Sequence, residues 1–526
     1  MSENLGVINK ESELIDAASA FRYVCLYGAG NVGNLIVQRM NINAVKLHAV
    51  FVSDKEGNPD KLTGIPVCLV DEQTIKKENC LVIIGTIEQY HAAIIETLDT
   101  NGFKNMVPVN EILLEDMMLQ QTGDLGKVYH PPNALTASPK LRVLFIASER
   151  YDTSGAFLSM KQLCHELNTI CNISTIIALP ILPVGNGEVQ LIERGLSYAL
   201  INAECWTMPI NEVNNPISVK RKEKLLTKNE SAVNDLCQII TNEKIDIVHI
   251  NTSWTHVGAL AAQKMNIPVV WHIREFLEED QCMQILDKSN GYALINRSNA
   301  IITVSNAIAK KYENILCKQK LNVIYNGINA NKFYMPDKTI MKNEQTNLLY
   351  LGAISPQKGF DLFIDACIIL RKHNVNFCAN VVGGGDSNYI NAMKKKVQEE
   401  SLSKYVIFHN LQANVEKFYR TADIFVMSSL SEAFGRTTAE AMMGGCLVIG
   451  TNDGATAELI NHKQTGLLFA KGDANDLAKK IIYSINNISE ASRIAYTGRE
   501  YAYNNFSSTA NTNAIAKIYD KIRGGL

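Results

Sequence analysis

Short runs of β-branched and aromatic residues alternate with helix-patterned stretches along almost the whole chain, and this most narrows what it can fold into. Strand, helix and strand in repetition give parallel pairs, and a parallel sheet needs helices on both faces. Three segments show the alternation. In the first, strands are expected at Arg22–Tyr27, Leu47–Val52, Pro66–Val70, Cys80–Gly85 and Asn105–Val109, with a helix such as Asn31–Met40 between them. The second runs through Leu141–Ala147, Ile245–Ile250, Pro268–His272, Ala300–Val304 and Asn322–Tyr325. The third runs through Asn347–Leu351, Phe377–Val382, Val406–His409, Ile424–Met427 and Leu447–Gly450, and its tail from Asp473 reads as helical. Between the first two, Gln120–Lys140 holds the glycines of QTGDLG and the paired prolines of HPPN, the chemistry of a linker. The expected units are 1–118, a linker 119–139, 140–335 and 336–526, each of a size that one core can serve.

Composition removes several classes. Hydrophobic residues are 46% and charged residues 20%, with a formal net charge of −2, so no strongly basic surface for nucleic acid is expected. The twelve cysteines form no Cys-x-x-Cys pair and most lie in apolar runs, as free thiols in a reducing compartment do. No run approaches eighteen apolar residues, and the N-terminus lacks the apolar stretch of a secretory signal. A cytoplasmic protein is expected, with peripheral contact at the inner face of a membrane as an option. The basic run 220–224 reads as a solvated helix face before it reads as a lipid contact.

The sharpest chemical signal is Glu432-Ala-Phe434-Gly435-Arg436-Thr437-Thr-Ala-Glu440, two carboxylates separated by seven residues, just after a strand and across the start of a helix expected near Thr437. A helix N-terminus presents unpaired N–H groups and partial positive charge, which suits a diphosphate. Glu432, before the helix, is placed to reach a sugar; Glu440, one turn inside, is placed to accept from a ribose diol.

This stretch resembles the signature of the retaining GT-B glycosyltransferases of family 4, and further motifs occur in that family's order: Leu351–Gly359, Val381–Gly385, Tyr325–Ile328, Asn452–Glu458 and Thr465–Leu468. The resemblance spans about 140–526. It implies an α/β GT-B fold, two Rossmann-like domains facing a cleft; the first segment's own alternation reads as a small Rossmann-like parallel-sheet domain in front of them. It implies a donor site of Gly155, Lys358, Glu432, Phe434, Gly435, Arg436, Thr437 and Glu440, with His272, Glu432 and Lys358 at the reaction centre. In the family a lysine of the first loop neutralises the diphosphate as charge grows on the leaving group, and Lys358 matches it. Where many members carry an arginine after the glycine of the first loop, this chain has Ala353, which leaves part of that charge to Arg436 or to backbone N–H groups. The resemblance further implies a UDP- or GDP-sugar donor, a glycan or lipid-linked acceptor, a place in surface polysaccharide synthesis, and no cofactor for transfer. No Asp-x-Asp pair and no zinc-spaced cluster occurs, so no metal is expected.

The N-terminal unit carries Gly28-Ala-Gly30-Asn-Val-Gly33 between a strand and a helix, the dinucleotide fingerprint in its usual context. Asp54 ends the next strand, where a ribose-binding acid belongs. A dinucleotide of NAD type is the expected ligand of this module. The first 130 residues hold no Tyr-x-x-x-Lys pair, which favours binding or docking over redox chemistry. Two alternatives stand beside the glycosyltransferase reading: an NAD(P)-dependent nucleotide-sugar oxidoreductase or epimerase centred on Gly28–Gly33, and a non-catalytic nucleotide-sugar sensor.

Overall fold

A computed structural model of the protein describes residues 7–524 except 54–57, 59, 73–74, 87–89, 111, 115, 118–124, 133, 135–138, 150–153, 182–186, 213–216 and 413; it also leaves undescribed the side chains of 31, 187–189, 217–224 and 226–228. Asp54 and 151–153 therefore lie outside the described residues, as do the side chains of the 220–224 basic run.

Three largely parallel sheets carry the chain. The first orders its strands Lys61–Leu62, Ile65–Leu69, Leu47–Val52, Tyr23–Tyr27, Cys80–Ile84, Asn105–Pro108, all parallel except the first two, which pair antiparallel. The chain starts mid-sheet, builds to one edge, then crosses back, so a topological switch lies between Tyr23–Tyr27 and Cys80–Ile84. Gly28 follows the first of these strands with φ 112°, and helix Asn31–Ile42 packs so tightly on the turn that a Cβ on Gly33 would lie 2.1 Å from Gly28 O. Inside, Arg39 clamps Glu11 through two 2.7 Å hydrogen bonds, a buried bidentate pair that ties helix Glu11–Ser19 to helix Asn31–Ile42.

The second sheet has eight strands, in the order Leu321–Val323, Ala300–Thr303, Val269–Ile273, Ile247–Ile250, Leu141–Ile146, Ile173–Pro180, Ser197–Ile201, Val128–Tyr129. The last strand corrects the linker expectation: Val128 and Tyr129 pair antiparallel with Ala199 and Tyr198, and Gly126 N–H donates to Leu200 O at 2.9 Å. Two residues are too few to show periodicity, so this edge gives no sequence signal. Strands Ile173–Pro180 and Ser197–Ile201 also join the sheet beyond those expected.

The third sheet runs Val406–Phe408, Phe377–Val382, Thr346–Leu351, Ile424–Met427, Leu447–Thr451, Leu467–Phe469, all parallel. Its central strands are buried on both faces, which is why they read as continuous apolar runs. After helix Ile488–Phe506 the chain returns to the second sheet as helix Ser508–Gly524, where Ile515, Ala516 and Tyr519 pack with Leu163 and Leu167 of helix Gly155–Ile170. The second and third sheets face a common cleft, the GT-B arrangement the resemblance implies. The first sheet's domain touches the second domain through Leu35 and Ile181, joined by Leu114, Leu125 and Leu200.

Candidate active site

The cleft between the second and third sheets encloses about 660 Å³, a volume fit for a small-molecule ligand. From the C-terminal half come Lys358, Glu432, Phe434, Gly435, Arg436 and Thr437; Gly155 comes from the other half. The strand-end loops that hold them are bound to each other. Leu430 N–H donates to Gln357 O at 3.0 Å, Ser428 Oγ to Lys358 O at 3.2 Å and Ser429 Oγ to Ser431 O at 2.9 Å. Lys358 Nζ thereby lies 2.9 Å from Glu432 Oε1.

Helix Arg436–Met443 begins one residue before the expected start, with Gly435 at its N-cap in the left-handed conformation, φ 79°, a position that favours glycine. Arg436 and Thr437 sit in the first turn, where helix N–H groups lack intrahelical partners. Arg436 spans the cleft: its Nη1 donates to Ser159 Oγ at 2.6 Å and Gly327 O at 3.3 Å in the opposite half, and its Nη2 reaches Glu440 Oε1 at 3.3 Å. A Cβ on Gly155 would stand 3.4 Å from Arg436 Cδ, so a small residue there leaves the arginine its path. Glu458 ties the halves at a second point, accepting from Asn306 N–H at 2.9 Å and Tyr325 OH at 2.6 Å.

Two expected residues lie elsewhere. Glu440 is buried behind the helix start: Tyr419 OH donates to its Oε2 at 3.0 Å, and burial raises its pKa against the pull of Arg436. His272 is fully buried and does not line the cleft; Arg274, two residues on and on the same face of the strand end, does. Two residues of strand advance the chain by about 6.6 Å, which separates floor from foundation. Arg274 Nη2 donates to His272 Nδ1 at 3.2 Å, so the ring proton of this neutral imidazole lies on Nε2. His249 Nε2 then donates to the same Nδ1 at 3.2 Å, and Tyr519 OH donates to His249 Nδ1 at 2.6 Å. Burial, then Arg274, pushes both imidazoles well below the usual histidine range. The cluster holds Arg274 from below, while Asn251 Oδ1 accepts from its Nε at 2.9 Å and Asn326 Oδ1 from its Nη1. Burial lowers the guanidinium to about 9, which leaves it charged at neutral pH.

Sequence reasoning missed three acids of the second domain that line the cleft. Glu149 accepts from Ser154 Oγ, and burial raises its pKa. Glu275 accepts from the N–H groups of Ser253 and Arg274, and burial raises it to about 7. Asp280, on the turn before strand Met283–Ile285, accepts from Lys358 Nζ at 3.1 Å. Burial would lower the Lys358 pKa, but Glu432 and Asp280 outweigh it and raise it. The one available signal was position: all three follow strands at the carboxyl ends, where open α/β sheets bind ligands. Gly28, Gly30 and Gly33 belong to the first sheet's switch point and take no part in this cleft.

Residues 188–332 match the model of Glycosyltransferase Family 4, and residues 333–501 that of Glycosyl transferases group 1. An uncharacterized glycosyltransferase of Methanocaldococcus jannaschii is 31% identical over 294 residues, 54% of this chain and 78% of that protein. The lipopolysaccharide core biosynthesis mannosyltransferase LpsB of Rhizobium meliloti is 28% identical over 241 residues, 44% of this chain and 67% of its own length. The capsular polysaccharide biosynthesis glycosyltransferase CapM of Staphylococcus aureus is 25% identical over 363 residues, 64% of this chain and 94% of its own. Among solved structures, Anabaena HepE in complex with UDP and glucose superposes with TM-score 0.59 at 21% identity, covering 72% of this chain and all of that one, a likeness of fold.

Proposed function

The chain belongs to the group 1 glycosyl transferases, and from that premise we propose that it moves a hexose from a nucleoside diphosphate sugar to a glycan or lipid-linked acceptor, with retention at the anomeric carbon. The observation that carries the reading is the Lys358–Glu432 pair, held 2.9 Å apart beside the N-terminus of helix Arg436–Met443. In this reading the diphosphate lies against Lys358, Arg436 and the first helical N–H groups, which oppose the charge that grows as the C1–O bond breaks. Glu432 accepts from sugar hydroxyls and fixes the ring. The acceptor hydroxyl enters on the leaving group's face, its oxygen bonds to C1, and its proton passes to the departing phosphate oxygen. Arg274, braced by His272 and Asn326, lines the same space from the second domain.

Among the described residues no three His, Cys, Asp or Glu side chains gather as a metal site, and no helix is long and apolar enough to cross a membrane. In the proposed scheme side chains and helix N–H groups carry the phosphate charge, so transfer persists in excess chelator. A Mg²⁺-restorable loss of all activity would overturn that scheme. UDP-glucose is the first donor to test, since HepE was solved with UDP and glucose; LpsB and CapM point the acceptor search to lipopolysaccharide and capsular polysaccharide. The reading stands if the full chain hydrolyses or transfers from a UDP- or GDP-sugar, and falls if it binds neither nucleotide.

For the first domain the proposal is a binding or docking module for a dinucleotide. Its support is the glycine turn at the switch point and the open position at Gly30, where a Cβ would meet nothing within 4 Å. The oxidoreductase alternative has no support among the relatives named above, all glycosyltransferases.

A further inference from the structure

Lys358 has three N–H donors and no acceptor. One goes to Glu432 Oε1 at 2.9 Å and one to Asp280 Oδ1 at 3.1 Å, so a single proton is left for a phosphate oxygen, and the lysine's charge is already outweighed by two carboxylates. Asp280 is set by its surroundings: its N–H donates to Phe276 O at 3.1 Å, Gln281 Nε2 donates to its Oδ2 at 3.1 Å, and the ribbon Thr207–Pro209 with Met283–Ile285 anchors the turn from behind. Its side chain is about one-tenth exposed and Glu432's is similar, so neither charge is well screened.

We propose that Asp280, reaching from the second domain to the same lysine as Glu432, sets the charge of the transferred sugar: the cleft takes a neutral or amino hexose and rejects a uronate. The inference rests on the donor reading above, in which the sugar lies beside Glu432. Both carboxylates keep lone pairs free, and these need hydrogen-bond donors. The hydroxyls of a neutral sugar and the ammonium of an amino sugar supply them. The carboxylate of a uronate supplies none and brings a third negative charge to this pair, a repulsion on the order of a hundredfold in affinity; the two guanidiniums of the cleft have their N–H groups held elsewhere, Arg436 by Ser159, Gly327 and Glu440 and Arg274 by His272, Asn251 and Asn326.

The test is titration of the full chain with UDP-glucose and UDP-glucuronate, repeated with GDP-mannose and GDP-mannuronate, in the wild type and in Asp280→Asn. The wild type is expected to bind the neutral member of the pair it accepts about a hundredfold more tightly. Asp280→Asn is expected to shrink that ratio at least about tenfold, chiefly by gaining affinity for the uronate. The ratio within one variant cancels any loss of folded protein, and the wild-type ratio needs no variant at all. Wild-type affinities within about threefold of each other would overturn the inference and leave the donor reading standing, as would an unchanged ratio in Asp280→Asn. Failure to bind any UDP or GDP compound would overturn both.

Discussion

Two glycine-bearing strand ends in this chain use the same backbone device and differ in what surrounds it. The Gly28–Gly33 turn opens a helix at the switch point of the first sheet, and its described neighbourhood holds an exposed Gly30 and the hydrogen bond between Tyr27 and Ser53. The Gly435 turn opens a helix at the end of a third-sheet strand, and a second domain closes over it with Arg274, Glu275 and Asp280. A helix N-terminus binds anions wherever it is exposed. Chemistry on the bound group needs more: a cation for the leaving group, an acceptor for the sugar, and a wall that keeps water out. In the proposed reading Lys358, Glu432 and the facing second domain supply these at the second turn.

That contrast breaks first if Lys358 is dispensable. Lys358→Ala and Glu432→Gln are each expected to lower turnover about 10²- to 10³-fold, since each removes a preorganised charge at the reacting centre. A steady-state rate within threefold of wild type would move catalysis out of this cleft.

Glu440 comes next. Removing its carboxylate leaves Tyr419 OH and one Arg436 Nη2 contact without their partner, at a cost of about 1–3 kcal/mol. Glu440→Ala is therefore expected to lower the melting temperature; the ribose role that the resemblance implies for it adds a fall in nucleotide affinity, read by titration. If only stability falls, the ribose role is lost.

The loop at Glu432–Gly435 and the helix at 436–443 were readable because local chemistry fixes them: a buried strand, a glycine turn, then a helix former run. Lys358 was readable because its loop follows a strand in the same way. His272 was not correctly placed, because alternation assigns a face and says nothing of depth along the strand; the cleft begins at Arg274. Asp280 offered only its position after a strand's end, because its partner lies 78 positions on, in another domain. Tyr419, which holds Glu440, was missed for the same reason at a separation of 21. The edge strand Val128–Tyr129 was hidden in turn-rich sequence.

That edge strand sharpens the comparison of domains. A fragment starting at 125 keeps Val128–Tyr129 against Tyr198 and is expected to fold and bind donor without the first domain. A fragment starting at 139 bares that sheet edge and is expected to melt lower and aggregate, read by light scattering on heating. Loss of donor binding in the soluble 125–526 fragment would show that the first domain builds part of the transferase site.

Acid–base behaviour gives a smaller effect. Burial holds Glu275 at about 7, above the unfolded carboxyl value of 4.5. Between those values the folded chain keeps a proton that the unfolded chain gives up. Its stabilising contribution is full below 4.5 and is lost as the pH rises through 7, with a slope of at most about 1.4 kcal/mol per pH unit. Glu275→Gln, which keeps an acceptor and drops the charge, is expected to flatten this stretch and to melt higher than the parent at pH 8. Parallel melting curves across pH 5 to 8 would contradict the assignment. Smallest of all, Gly30→Glu places a negative charge at the first turn in open space; it is expected to abolish NAD binding there and to leave sugar transfer within about twofold of wild type.

The most direct test of the division between the two turns is calorimetric titration of UDP, with GDP alongside, into the wild type, Lys358→Ala and Gly30→Glu. Lys358→Ala is expected to weaken the nucleotide at least about tenfold and Gly30→Glu to leave it unchanged. The opposite pattern, affinity lost in Gly30→Glu and kept in Lys358→Ala, would place the sugar nucleotide on the first domain and take the transfer site out of the cleft.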